Sequence, residues 1–110
     1  MKSQITTHIL DTSTGKPASG VNVSLFYQGQ SLASSQTNDD GRILQWLPTD
    51  HVVQAGVYQI VFEIGDWMKV QNRACFYPSV KIDFEIIATN EHYHVPLLIN
   101  PFGYSTYRGS

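Results

Sequence analysis

The chain has 110 residues, 42% of them hydrophobic and 15% charged, and a formal net charge of −2. That length suits a single domain over residues 1–110, burying roughly two thirds of its unfolded surface without staples. The lack of a basic cluster argues against a nucleic-acid partner, and no apolar run approaches the ~20 residues of a membrane helix.

The single Cys75 excludes an intrachain disulfide. Among apolar and aromatic neighbours it reads as a small core hydrophobe. Low charge leaves apolar surface to cover, which favours an oligomer. No charged segment followed by an apolar one opens the chain, so the expected location is the cytoplasm, with the periplasm as the alternative if a leader has been removed.

In chain order, a strand is expected over 5–10, with Thr6, His8 and Leu10 on one face and Ile5, Thr7 and Ile9 on the other. Both faces mix polar and apolar groups, so alternation leaves the buried one open. Residues 11–20 form a loop broken by Gly15, Pro17 and Gly20. Alternation from Val21 into Tyr27 gives a half-buried strand. Residues 31–37 are polar and suit a sheet edge. Asn38-Asp39-Asp40-Gly41 is a hairpin signal, and Arg42 opens a further strand over 42–47.

A loop or helical turn over 48–56 leads into an alternating strand over 57–64. Trp67, Val70 and Ala74 then fall at helical spacing, predicting about two turns of helix over 65–73. Residues 80–86 alternate again, apolar against charged. Beyond a turn at 88–91, His92, His94 and Pro96 share one face of a strand and Tyr93, Val95 and Leu97 the other. A Pro/Gly break follows, then a last strand expected to run to residue 110 and to pack against something. About eight short strands and one small helix, with no β-α alternation, make an all-β antiparallel sandwich.

Four histidines stand out: His8, His51, His92 and His94. Imidazole titrates near neutrality and suits proton transfer. His51 sits in a polar loop and reads as a surface residue. His92 and His94 could share a zinc ion with His8 as a third ligand, but no Cys, Asp or Glu stands at a spacing that completes such a site. Cys75 has no neighbouring base, no serine lies in a nucleophile-elbow turn, and no Gly-rich phosphate loop is present. Imidazoles, a guanidinium, a phenol and a hydroxyl are left. Without metal or cofactor, such a set can hydrolyse an electrophilic, anionic heterocycle: a histidine activates water while an arginine polarises a carbonyl.

The stretches His92-Tyr93-His94-Val95-Pro96-Leu97-Leu98 and Gly103-Tyr104-Ser105-Thr106-Tyr107-Arg108-Gly109-Ser110 resemble the 5-hydroxyisourate hydrolases, the enzyme branch of the transthyretin-like family. The likeness extends over the whole chain, including His8-Ile9-Leu10-Asp11 and Gly15-Lys16-Pro17-Ala18. Departures are conservative: Asn100 where Ser is commoner, and Ile99 in place of Leu. The resemblance implies two four-stranded sheets with a short helix after the fifth strand. It also implies a homotetramer built as a dimer of dimers, with sites in its central channel.

The implied activity is hydrolysis of 5-hydroxyisourate in urate degradation, without cofactor or metal. The residues it implies as catalytic are His8, Arg42, His94 and Ser110, the last through its hydroxyl or a terminal carboxylate. His8, Arg42 and Tyr107 would bind substrate, while Arg108, Gly109 and His92 would support the site. The alternative is a transthyretin-like small-molecule carrier. That branch lacks the histidines at the positions of His8 and His94, and lacks the Tyr-Arg-Gly-Ser ending.

Overall fold

The structure is a computed structural model and describes residues 3–48 and 50–110. Of the loop expected over 48–56, Thr49 lies outside the described residues. Two sheets face each other. The first contains β1 (Ile5–Asp11), β2 (Lys16–Pro17), β5 (Arg42–Ile43), β8 (Tyr93–Asn100) and β9 (Gly103–Thr106). The second runs β4 (Gln30–Gln36), β3 (Asn22–Tyr27), β6 (Gly56–Phe62), β7 (Val80–Ile86). The helix α1 (Ile64–Val70) follows β6.

The core decides the face that alternation in the first strand left open. Ile5, Thr7 and Ile9 turn inward with Val95, Leu97 and Ile99. They meet Val23, Leu25, Ile60, Phe62, Val80 and Ile86 from the opposite sheet. Each such aliphatic side chain contributes about 1.5–3 kcal/mol of burial free energy. Truncating one to Ala would cost more where the sandwich cannot collapse on the gap.

The all-β sandwich with one short helix is as expected, and the polar β4 does lie at an edge. Several details differ. The first sheet has five strands rather than four, because β2 and β5 both flank β1. Residues 16–17 thus form a short strand inside the expected loop, and β5 covers only Arg42–Ile43 instead of 42–47. One pairing is parallel: β1 with β8. A parallel pair needs a long crossover, and here the whole second sheet lies between them in sequence.

The Asn38–Gly41 turn forms, with Gly41 N–H donating to the Asn38 carbonyl (2.9 Å). It does not close a hairpin. It carries the chain from β4 in one sheet to β5 in the other, because Ile43 is drawn into the core against Thr7. Gly41 has φ 72°, and a Cβ there would stand 2.5 Å from the Ile9 carbonyl oxygen. Only glycine lets this turn press against β1 and launch Arg42 beside it.

The helix starts at Ile64, which the strand pattern had absorbed, and buries Ile64 and Met68 at a four-residue spacing. The expected stripe of Trp67, Val70 and Ala74 is not the packed one: Val70 is 83% exposed. Of that stripe only Trp67 packs against the core, partly buried, its indole N–H donating to the Ser19 carbonyl (2.7 Å). Cys75 is half-buried rather than fully buried, its thiol donating to the Tyr77 carbonyl. The final strand ends at Thr106, and beyond it the tail returns to the sheet through a bridge between Gly109 and His94 and through Arg108, which bonds the His92 carbonyl.

At the far end of β1, Asp11 is buried and accepts bonds from Ser13 and from Arg73 Nη1 (2.7 Å). Burial pushes its carboxyl up, but the bonds from Arg73 and Ser13 outweigh it and hold the carboxyl below its ordinary value. The stability this provides is fully present above the unfolded value of 3.8 and is lost as pH falls through the folded one. Arg73→Met strands a dehydrated carboxylate and should cost on the order of 3 kcal/mol at neutral pH in urea unfolding. The gap to wild type should narrow in acid; a gap independent of pH would contradict this pairing.

Candidate active site

Strand registers assemble the site on the outer face of the first sheet. His8 of β1 stands opposite Arg42 of β5 on one side and Pro96 of β8 on the other. In the next row, Thr6 stands opposite His94, and His94 is bridged to Gly109. With strands about 4.8 Å apart and a two-residue offset of about 6.6 Å, the His8 and His94 backbones lie roughly 8 Å apart. Both rings can then reach one small planar heterocycle. The face exists because β-branched and aliphatic neighbours at alternate positions, Ile5, Thr7, Ile9, Val95 and Leu97, are taken by the core.

His8 is half-buried. Burial first, and the Arg42 guanidinium second, hold its imidazole below the usual 6.5, against a smaller opposing pull from the Asp40 carbonyl and carboxylate. His8 is therefore neutral at neutral pH and able to accept a proton. Among the described residues, Arg42 has no carboxylate within salt-bridge distance. A half-buried guanidinium beside a neutral imidazole, with no anion of its own, is suited to an anionic or carbonyl-bearing ligand.

His94 is gripped from two sides. The Thr6 hydroxyl lies 2.7 Å from its Nδ1 and also 2.9 Å from His92 Nε2. The Gly109 backbone lies over its edge, so that an added Cβ would stand 2.6 Å from His94 Cδ2 and 3.0 Å from Pro96 Cγ. His92 and His94 thus converge on a hydroxyl, not on a common point for an ion. Among the described residues no three His, Cys, Asp or Glu side chains gather around one position.

The tail residues divide. Tyr107 lies level with Pro96, between the Leu97–Thr106 and His94–Gly109 pairings, and is 59% exposed. Ser110 is exposed beyond the bridge. Arg108 turns away from the histidine face: it lies over the Tyr93 ring (4.4 Å), pairs with Glu91 (3.0 Å) and bonds the His92 carbonyl. It ties the tail to the strand. A cleft of about 300 Å³ opens beside it, lined by Ile82, Phe84, Tyr93, Val95 and Tyr107. That cleft is largely apolar and includes His94 but neither His8 nor Arg42.

A family model described as the HIUase/Transthyretin family matches residues 5–109. The chain belongs to the HIUase/Transthyretin family. It is 43% identical to the 5-hydroxyisourate hydrolase of Halalkalibacterium halodurans, across 100% of both chains. Among solved structures, 5-hydroxyisourate hydrolase of Klebsiella pneumoniae superimposes with a TM-score of 0.88 at 44% identity, covering 96% of this chain and 97% of that one. Sea bream transthyretin in complex with thyroxine superimposes with a TM-score of 0.87 at 26% identity, covering 97% and 95%.

Within this family frame, the strand registers set His8, Arg42, His94 and Gly109 in neighbouring rows and His92 joins them through Thr6, while Tyr107 lines the edge cleft and Ser110 is exposed beyond the bridge. His51 lies half-buried in the loop between β5 and β6. Thr6 was not among the candidates read from the sequence. A threonine two residues before a histidine carries no signal until the β1–β8 register sets it against His92 and His94. Gly109→Ala should displace the His94 ring and shift its side-chain NMR resonances while the fold persists. Unmoved His94 resonances would contradict the close packing of the tail.

Proposed function

We propose that this protein hydrolyses 5-hydroxyisourate, opening its ring with water to give 2-oxo-4-hydroxy-4-carboxy-5-ureidoimidazoline in urate degradation. One observation carries the reading: the His8 imidazole, a guanidinium with no carboxylate within salt-bridge distance among the described residues, and a second, clamped imidazole share one sheet face. The names of the full-length relatives support the same activity.

On this reading the substrate's electron-poor carbonyl lies against Arg42, whose fork of donors binds it and stabilises the oxyanion that develops as water adds. His8 and His94 position that water and take its proton. The proton is returned to the ring nitrogen that leaves. Tyr107 contacts the ring, Ser110 contributes its hydroxyl, and Arg108, Gly109 and His92 hold the tail and the second histidine. The substrate is already electrophilic, so no cofactor is required. The face is open in one protomer, and we propose that a homotetramer, built as a dimer of dimers, shields it from bulk solvent. One domain spans the chain. A half-buried free thiol, Cys75, suits a reducing compartment, and we assign the protein to the cytoplasm.

The direct test generates 5-hydroxyisourate with urate oxidase and follows its ultraviolet absorbance. Accelerated decay supports the reading; decay at the spontaneous rate would favour a small-molecule carrier. Arg42→Lys should lower kcat/KM by about 100-fold, since an ammonium lacks the guanidinium's paired donors. Near-wild-type turnover would refute the clamp. Because burial and Arg42 hold the His8 pKa below 6.5, protonation of His8 should lower kcat/KM only at pH below that ordinary value. In Arg42→Gln an NMR titration should find the His8 midpoint moved upward, since the second cause of its lowering is gone.

A further inference from the structure

Thr6 occupies a position whose chemistry the reading above does not use. Its hydroxyl is buried, at 1% residue exposure, and is flanked by two imidazole nitrogens, His94 Nδ1 at 2.7 Å and His92 Nε2 at 2.9 Å. A hydroxyl carries one proton. It can donate to only one of the two rings, so the other ring must donate to it. When both rings are neutral and the hydroxyl donates to one of them, the two tautomers are locked together. If His94 carries its proton on Nδ1, that N–H donates to Thr6, Thr6 donates to His92 Nε2, and His92 carries its proton on Nδ1. If His94 is protonated on Nε2 instead, every bond in the chain reverses.

The two rings differ in surroundings. His92 is exposed. His94 is half-buried, with the Gly109 backbone against its Cδ2 edge. With Nδ1 engaged by Thr6, proton transfer between the His94 ring and a reacting water passes through Nε2. Only the first arrangement puts a lone pair there.

We propose that Thr6 is a positioning residue that holds His94 in its Nδ1-protonated tautomer and links it to His92, which serves as the solvent end of a proton relay. The relay deepens the proposed hydrolase reading and rests on it. Its balance is simple. Water adds to the substrate carbonyl and its proton goes to His94 Nε2. The His94 Nδ1 proton passes to the Thr6 oxygen as the Thr6 proton passes to His92 Nε2. The His92 imidazolium releases its Nδ1 proton to solvent. His94 is left as the Nε2–H tautomer, the form that can donate a proton to the departing ring nitrogen. As it donates, a solvent proton passes through His92 and Thr6 to Nδ1, so the ring stays neutral and returns to the starting form. The outward-facing hydroxyl of Thr6 thus has a role distinct from that of Thr7, whose hydroxyl faces the core and donates to the Val95 carbonyl.

The test compares Thr6→Val, which keeps the shape and removes the hydroxyl, with Thr6→Ser, which keeps the hydroxyl. Thr6→Val should lower kcat by about 100-fold, at the low end of what general-base catalysis contributes, with KM little changed. Thr6→Ser should restore most of that loss. His92→Ala should lower kcat as well, and the double variant should be no worse than Thr6→Val alone, because both changes break one chain. A second readout does not use activity. Long-range ¹H–¹⁵N correlation spectra of the wild-type histidines should give the Nδ1–H pattern for His94, lost in Thr6→Val and kept in Thr6→Ser.

Wild-type kcat in Thr6→Val, or a His94 tautomer unaffected by it, overturns the relay. If the wild-type protein fails to hydrolyse 5-hydroxyisourate, the spectra still decide whether Thr6 couples the two rings. The failure then belongs to the proposed activity and not to the coupling.

Discussion

The parallel pairing of β1 with β8 is the constraint on which the rest depends. It runs in unbroken register from Ile5–Tyr93 to Asp11–Ile99. One side of that ribbon supplies Ile5, Ile9, Val95, Leu97 and Ile99 to the core. The other side presents Thr6, His8, His94 and Pro96. A slip of one residue would turn the histidines inward and the isoleucines outward, so the burial that stabilises the sandwich also fixes the site. Local bonds pin the same register: the Thr7 hydroxyl on the Val95 carbonyl (2.6 Å), and the Thr12 amide on the Ile99 carbonyl (2.8 Å).

Charge is distributed in two contrasting ways along β1. At Asp11 the strand buries an anion and supplies it with a cation and a serine, a satisfied structural group. Three residues earlier it places a histidine next to a cation, with burial acting in the same direction. The second arrangement stabilises nothing by itself. It is the kind of local conflict that a fold retains at a site of function, and the rigid ribbon beneath it absorbs the cost. Gly41 and Gly109 serve this arrangement from opposite flanks: one lets a turn press close enough to set Arg42 beside His8, and the other lets the tail lie against His94.

Much of the architecture was legible from alternation alone. The strands holding Val23–Leu25, Tyr58–Phe62 and Val80–Ile86 read correctly because one side of each is apolar and the other largely polar. What failed did so for physical reasons. Asn38–Gly41 carries a hairpin's local chemistry, but the destination of the next strand is set by where Ile43 can be buried. Ile64 prolongs the alternation of β6, yet the close approach of Gly65 to the Pro78 backbone redirects the chain into a helix. The parallel partner of β1 lies more than eighty residues away and leaves no local trace. His8, Arg42 and His94 were found through motif likeness rather than periodicity, and Thr6 by neither, since its meaning arises only across the strand pair.

On the proposed reading the ligand occupies the outer face of the first sheet, between the two histidines and Arg42. Titrating urate, an unreactive planar relative of the proposed substrate, into isotope-labelled protein tests it most directly by NMR. The largest shifts are expected at His8, Arg42, His94 and the Gly109 amide. Shifts confined to Ile82, Phe84 and Arg108 around the edge cleft would contradict it.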